Sequence, residues 1–312
     1  RAVGRISVVP LNLAGGGLAG LRLRGLNLPA TAAQMEAWED LVERIQNPTD
    51  EITIHFVGKY VEYEDSYKSI NEALYHGGFR HRLKVRLNYI EAEALEQPDG
   101  LRKLENAHGI LVAPGFGDRG SRGMMAAAEF ARTRKVPYLG ICYGFQWAVV
   151  EFARNVAGLA GADSTEVVEN APHKVIYKLR DLLGVDDMGG TMRLGSYACR
   201  LTPDSLAFKL YGEEIIHERH RHRYEFNCLY EKQLVEHGLK VVGRSLDGKF
   251  VEIVELPGHP WFLAVQFHPE FKSKPLRPHP LFAGFVEAAH RRKMAVEGGV
   301  ATNVTAIGDR RR

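Results

Sequence analysis

Three stretches of the 312-residue chain combine residue types and spacings suited to breaking an amide bond. The first is "GICYGFQ", Gly140–Gln146, where Cys142 stands between near-adjacent glycines, after the apolar run "VPYL" and before "WAVVEFARNVAGL". Glycines at 140 and 144 permit a tight strand-to-helix turn and keep side chains off the sulfur, the logic of the Gly-x-Ser-x-Gly nucleophile elbow. The positive end of a helix starting near Gly144 favours thiolate over thiol. A cysteine on its own is more often a small buried hydrophobe, and it is the surroundings that reverse this reading. The second stretch, "QFHPEF" at Gln266–Phe271, follows the apolar "WFLAV". Residues i and i+2 of an extended segment project to the same side, so Glu270 is placed to accept the imidazole N–H of His268. The third, "APGFGDRG" at Ala113–Gly120, is a glycine-rich turn after a strand. Its backbone N–H groups, with that of Tyr143, are suited to a developing oxyanion.

These groups need a scaffold that brings distant parts of the chain to one edge. From Glu51 to Ile141 apolar strand candidates alternate with helical stretches: "ITIHFVGKYV", then "SYKSINEALYHGGF" as a helix with a glycine-rich stop, "KVRLNYIEA", "GILVAPGFG", "MMAAAEFARTRK" and "PYLGI". Strands that do not alternate in polarity, separated by helices, predict an α/β fold with a mostly parallel central sheet and helices on both faces. Ligands in such sheets bind beyond the carboxyl ends of the strands, where Cys142 is placed. Past Gly161 the texture is more β-rich, with a hairpin signal at Asp247-Gly248, which predicts a small antiparallel extension. Residues 1–50 read as a linker or remnant followed by an amphipathic helix stopped near Pro48, with apolar residues at Met35, Trp38, Leu41, Val42 and Ile45. Residues 51–293 form the main domain, and 294–312 read as a disordered tail.

Composition excludes several classes. A net charge of +3 gives no reason to expect a nucleic-acid or anionic-membrane partner, and the "RRK" and "RRR" runs read as solvated ends. No segment approaches the ~20 apolar residues of a membrane-spanning helix. Three widely spaced cysteines fit a reducing cytoplasm better than a disulfide framework, and Cys199 and Cys228 read as packing residues. The histidines are scattered, so no metal site is expected.

The Cys elbow, the glycine-rich oxyanion strand and the late His-x-Glu together resemble the class I glutamine amidotransferases, whose fold is flavodoxin-like. "VGKYVEYEDSYKSINEALYHGG", "GFGDRG", "EFARNVAGL", "DSTE", "DMGGTMRLG", "ERHRHRYEFN" and "QFHPEFKSKPLRPHPLF" are similar, in particular, to the glutaminase domain of the CTP synthase family. The resemblance runs from about Glu51 to His290. It implies that Cys142 attacks the glutamine amide, forming a γ-glutamyl thioester and releasing ammonia, with His268 as general base and acid and Glu270 orienting it. It implies that Gly115 and Tyr143 supply oxyanion amides and that Phe116, Gln146, Glu166, Arg223 and Tyr224 hold L-glutamine. A carboxylate for the ammonium and an arginine for the carboxylate suit a zwitterion. Arg119 matches a position tied to activation by GTP, and most of the other residues of "RHRHR" read as structural. The implied partner is an amidoligase (synthetase) domain that binds ATP, UTP and Mg and uses the ammonia; a homo-oligomer is expected of the full enzyme.

Several positions depart from the family. Pro114 precedes Gly115 where glycine is usual and has no N–H to give; losing one oxyanion donor costs ~10²–10³ in turnover. Tyr143 replaces a leucine, and Arg122 replaces a glutamate near Arg119. No phosphate-binding Gly-x-x-x-x-Gly-Lys-Ser/Thr loop occurs in the chain, so the chain alone is not expected to make CTP. Two alternatives are a stand-alone γ-glutamyl hydrolase or peptidase, and a non-catalytic regulatory module on the same fold.

Overall fold

The computed structural model describes residues 6–29, 34–179 and 192–308. The "DMGGT" half of "DMGGTMRLG" lies outside the described residues. Where the sequence suggested a linker, the chain forms two short helices, α1 (Val9–Gly15) and α2 (Leu18–Gly25), neither of which buries a residue. Pro10 suits the first turn of α1, because its missing N–H would have no helical partner there. Helix α3 (Glu36–Gln46) follows the expected amphipathic pattern and buries Leu41 and Val42.

The alternation then unfolds as β1 (Asp50–Gly58), α4 (Lys68–Arg80), β2 (Leu83–Glu91), β3 (Gly109–Val112), α5 (Ser121–Arg134), β4 (Tyr138–Ile141) and α6 (Tyr143–Asn155). The later part supplies β5 (Ala162–Ser164), β6 (His173–Lys178), β7 (Arg193–Leu201), α7 (Leu206–Tyr211), β8 (Ile215–His222), β9 (Tyr224–Phe226), α8 (Glu231–Glu236), β10 (Lys240–Ser245), β11 (Val251–Glu255), β12 (Phe262–Val265) and α9 (Pro280–Gly308). Helix α9 thus runs through residues the sequence had assigned to a disordered tail. Among the described residues no single helix is long and apolar enough to cross a membrane.

One nine-stranded sheet has the order β2-β1-β3-β4-β12-β11-β10-β7-β8. Strands β2, β1, β3, β4 and β12 are mutually parallel. Strands β11, β10, β7 and β8 continue it antiparallel, a wing larger than the small extension expected. Along each parallel strand successive side chains go to opposite faces. Ile110 and Val112 pack with Ala127, Trp147 and Val150 of α5 and α6. Leu111, Ile54 and Phe56 pack with Leu74 of α4 and Phe282 and Phe285 of α9. Gly77 and Gly78 do not stop α4, as the sequence had suggested. A Cβ at Gly77 would lie 2.8 Å from the Phe282 carbonyl oxygen, so this glycine lets α4 and α9 approach closely.

Candidate active site

Four adjacent parallel strands deliver the chemistry to their carboxyl ends. Lys59 follows β1, the Pro114–Gly117 loop follows β3, Cys142 follows β4, and His268 comes three residues after β12. At the elbow Cys142 is held at φ 53°, ψ −96°, a conformation that costs about 1–3 kcal/mol in a non-glycine residue. The surroundings enforce it: the Cys142 amide donates to the Val265 carbonyl at 2.7 Å, and the Gln146 amide donates to the Cys142 carbonyl at 3.1 Å. Gly144 is required because a Cβ there would meet the Val112 carbonyl oxygen at 2.2 Å. The Tyr143 amide belongs to the first turn of α6, where N–H groups have no intrahelical acceptor.

His268 is buried, its amide anchored to the Arg219 carbonyl at 2.7 Å. Its Nδ1 lies 2.8 Å from Glu270 Oε1, the i, i+2 pairing the sequence predicted. The carboxylate can only accept, so Nδ1 carries the proton and Nε2 is left for Cys142. Burial works to lower the His268 pKa; the charge and contact of Cys142, then the bond to Glu270, outweigh it and push it up to about 10. Cys142, His268, Glu270, Pro114, Gly115 and Phe116 all line one cleft of about 380 Å³, walled on the far side by Tyr67 and the first turn of α4. A larger cavity, about 860 Å³, lies elsewhere between the N-terminal segment, α3 and α4, and contains none of these groups.

The other expected residues take varied positions. Phe116 is 69% exposed at the mouth of the cleft. Glu166, half-buried, accepts the Gly117 amide at 2.8 Å; burial raises its pKa, against the Gly117 amide and Lys59. The Tyr143 ring packs against Gly115 of the glycine loop, its hydroxyl donating to the Gly117 carbonyl at 2.5 Å. Gln146 is buried behind the cleft and donates to the Tyr224 carbonyl at 3.2 Å. Arg223, exposed, and Tyr224, half-buried, sit at the β8–β9 junction and do not line the cleft. Arg119 is on its rim, bonded to Glu93 at 2.6 Å and to the Lys59 carbonyl at 2.5 Å, with its guanidinium 4.9 Å from the Tyr60 ring centre. Arg122 is paired with Asp163 at 2.9 Å.

Sequence reasoning missed three residues here. Lys59 is buried, and its Nζ donates to the Phe116 and Gly117 carbonyls, each at 2.5 Å, from 4.6 Å over the Tyr143 ring. Arg221, not singled out from the sequence, lines the cleft. Gln266, next but one to His268, donates to the Cys142 sulfur at 3.7 Å. Strand alternation was the available signal for Arg221: along β8 the odd positions are exposed and the even ones buried. One further difference stands out. Cys228 is exposed, not packed, whereas Cys199 is buried. Among the described residues no group of three or more His, Cys, Asp or Glu is placed to hold a metal ion.

A parallel α/β sheet with a strained cysteine elbow, a His-x-Glu pair after the strand on one side of it and a glycine loop after the strand on the other defines a triad-type amidotransferase site. The family pattern of the class I glutamine amidotransferases matches residues 62–288, and the chain belongs to that family. Within it the chain is of the CTP synthase glutaminase type. It is 55% identical over 289 residues to the CTP synthase of Acidobacterium capsulatum, covering 93% of this chain and 53% of that protein. It is 53% identical over 296 residues to that of Koribacter versatilis, again covering 53% of the relative. The chain therefore spans about half the length of the curated relatives it matches. Among solved structures it is similar to the Trypanosoma brucei CTPS glutaminase domain with bound acivicin, at 36% identity and a TM-score of 0.73 over 77% of this chain and 94% of that one.

Proposed function

We propose that this chain hydrolyses L-glutamine through a thioester on Cys142 and supplies ammonia for the amination of UTP to CTP by a synthetase domain outside this chain. The observation that carries the reading is the convergence of the strained Cys142 and the Glu270-oriented His268 in one cleft beside the Gly115 loop. The sulfur attacks the amide carbon, and the charge on oxygen falls to the amides of Gly115 and Tyr143. His268 donates its proton to the departing nitrogen, which leaves as ammonia. It then takes a proton from the water that cleaves the thioester, releasing glutamate and restoring the thiol.

Phe116, Gln146, Glu166, Arg223 and Tyr224 are the substrate-holding set in this reading, Glu166 at the ammonium and Arg223 at the carboxylate. For Arg223 and Tyr224 this requires the β8–β9 junction to move toward the cleft, which they do not line here. Arg119, an exposed guanidinium over Tyr60 on the cleft rim, is the proposed contact for activating GTP. ATP, UTP and Mg belong to the synthetase domain, and assembly into a homo-oligomer belongs to the complete enzyme. The test is ammonia release from glutamine. Cys142→Ala should reduce it to background while leaving the fold intact by circular dichroism, and release that survives the substitution eliminates the thioester. Offering γ-glutamyl peptides beside free glutamine separates an amidotransferase from a peptidase.

A further inference from the structure

Behind the cleft, two buried glutamines join the β8–β9 junction to the nucleophile. The Tyr224 carbonyl accepts from Gln146 Nε2 at 3.2 Å; Gln146 Nε2 also donates to Gln266 Oε1 at 3.3 Å; and Gln266 Nε2 reaches the Cys142 sulfur at 3.7 Å. Both glutamine side chains are almost wholly buried, Gln146 at 3% and Gln266 at 0% exposure. The direction of this chain is dictated by its first member. A backbone carbonyl only accepts, so Gln146 must turn its NH₂ toward Tyr224 and toward Gln266. Gln266 must then present its carbonyl oxygen to Gln146, which leaves its own NH₂ facing the sulfur. The far side of the Tyr224 carbonyl is fixed as well, because His222 Nδ1 lies 3.1 Å from the same oxygen and can only donate to it.

We infer that Gln266 is a further catalytic residue: its amide N–H, oriented by Gln146 and the Tyr224 carbonyl, holds the Cys142 sulfur as an anion and aims it into the cleft. The inference rests on the reading of Cys142 as the nucleophile. A hydrogen bond to a charged acceptor is about twice as strong as one to a neutral acceptor, so this donor favours thiolate over thiol. It is placed where the helix end and the imidazolium act too, but it differs from them in being wired to Tyr224, a residue of the proposed substrate site. Movement of the β8–β9 junction on glutamine binding would reach the sulfur through two side chains and no intervening water.

The test measures alkylation of Cys142 by iodoacetamide from pH 5 to 10, with the protein's own variants and no glutamine present. Alkylation forms the S–C bond and releases iodide, and it needs the thiolate. Gln266→Met keeps the volume and removes the donor; it should slow alkylation at neutral pH by about tenfold, the size expected from losing one charged hydrogen bond, and regain the parent rate at high pH. Gln266→Glu, nearly isosteric, puts an acceptor against the sulfur and should slow neutral-pH alkylation further. The order parent, Met variant, Glu variant supports the assignment. Unchanged profiles, or equal slowing at all pH values in both variants, overturn it. Gln266→Glu, the more conservative in shape, decides the matter if Gln266→Met does not fold. A chain that alkylates in the predicted order but releases no ammonia from glutamine would refute the proposed function and leave this inference standing.

Discussion

Arg122 stands where the family resemblance predicts a glutamate, and its surroundings explain how a positive charge is accommodated there. Asp163 is buried, and its carboxylate is shared between Arg122 at 2.9 Å and Arg154 at 2.6 Å. The Arg122 guanidinium also lies 5.6 Å from the Trp147 ring centre. Arg122→Met should cost only about 1 kcal/mol, since Arg154 still satisfies the carboxylate and Arg122 is partly solvated. Arg122→Glu should cost about 2 kcal/mol or more, because it sets a second carboxylate against a buried one. Denaturant unfolding of the two variants checks the order, and equal stabilities would contradict it. Tyr143 is accommodated in a similar way: its hydroxyl bonds the Gly117 carbonyl and Lys59 Nζ lies 4.6 Å over its ring, so the phenol is partnered by the glycine loop and its clamp. The positions of Cys142, His268 and Glu270 were legible because elbow glycines and an i, i+2 pair are local signals. Gln266 and Asp163 were not. Their partners lie 124 residues away for Gln266, and 41 for the Asp163–Arg122 pair, and no spacing announces such contacts.

Among the elements, the loop between β3 and α5 depends on a residue from a different strand. Lys59 reads in the sequence as one more polar residue in "VGKYV", yet it is buried and clamps two loop carbonyls. Turning those carbonyls inward toward Lys59 and Tyr143 leaves the opposite side of the loop for N–H groups, a fixed orientation that an oxyanion site requires. Burial pushes the Lys59 amine down to about 8, with Glu166 opposing. Glutaminase turnover should therefore decline as pH rises through about 8 and the clamp loses its charge. Lys59→Met should lower kcat by about tenfold, the effect of one charged hydrogen bond, and should abolish that alkaline limb. A variant that retains the limb places its origin elsewhere. Strand β8 shows the converse difficulty. Its inward face is Ile216, Glu218, His220 and His222, so an alternating strand is written almost entirely in charged and polar residues. Several of them bond one another or their neighbours: His220 Nδ1 lies 2.9 Å from His222 Nε2, and Glu218 accepts the Tyr211 hydroxyl at 3.1 Å. Arg193 pairs with Glu225 and Glu252, and hydrophobic patterning had nothing to detect.

The parallel strands bury both faces against helices and work at their carboxyl ends, so stability and chemistry share residues. His76 shows the link. It lies on α4 with Nδ1 3.0 Å from Ser273 Oγ, tying the helix that walls the cleft to the turn carrying Glu270. Burial lowers its pKa from the ordinary 6.5 to about 4, and the half-exposed Glu72, 3.8 Å away, does not compensate. In the unfolded chain His76 takes a proton near pH 6.5, while in the folded protein it does so only near pH 4. Between those values the unfolded state binds more protons, so this residue's contribution to stability is intact above about pH 6.5 and is lost as pH falls toward 4. The loss amounts to about 3 kcal/mol at its full extent. His55, which burial also lowers to about 4, titrates in the same range. The measurement that isolates His76 is therefore the difference in unfolding free energy between the parent chain and His76→Gln at a series of pH values. The parent should lead at pH 7.5 and lose that lead steadily below pH 6, with ammonia release falling in step as the Glu270 turn loosens. A difference that stays constant from pH 7.5 to 4.5 would show that His76 is not held neutral, and the coupling of α4 to the triad turn would have to be sought in other residues.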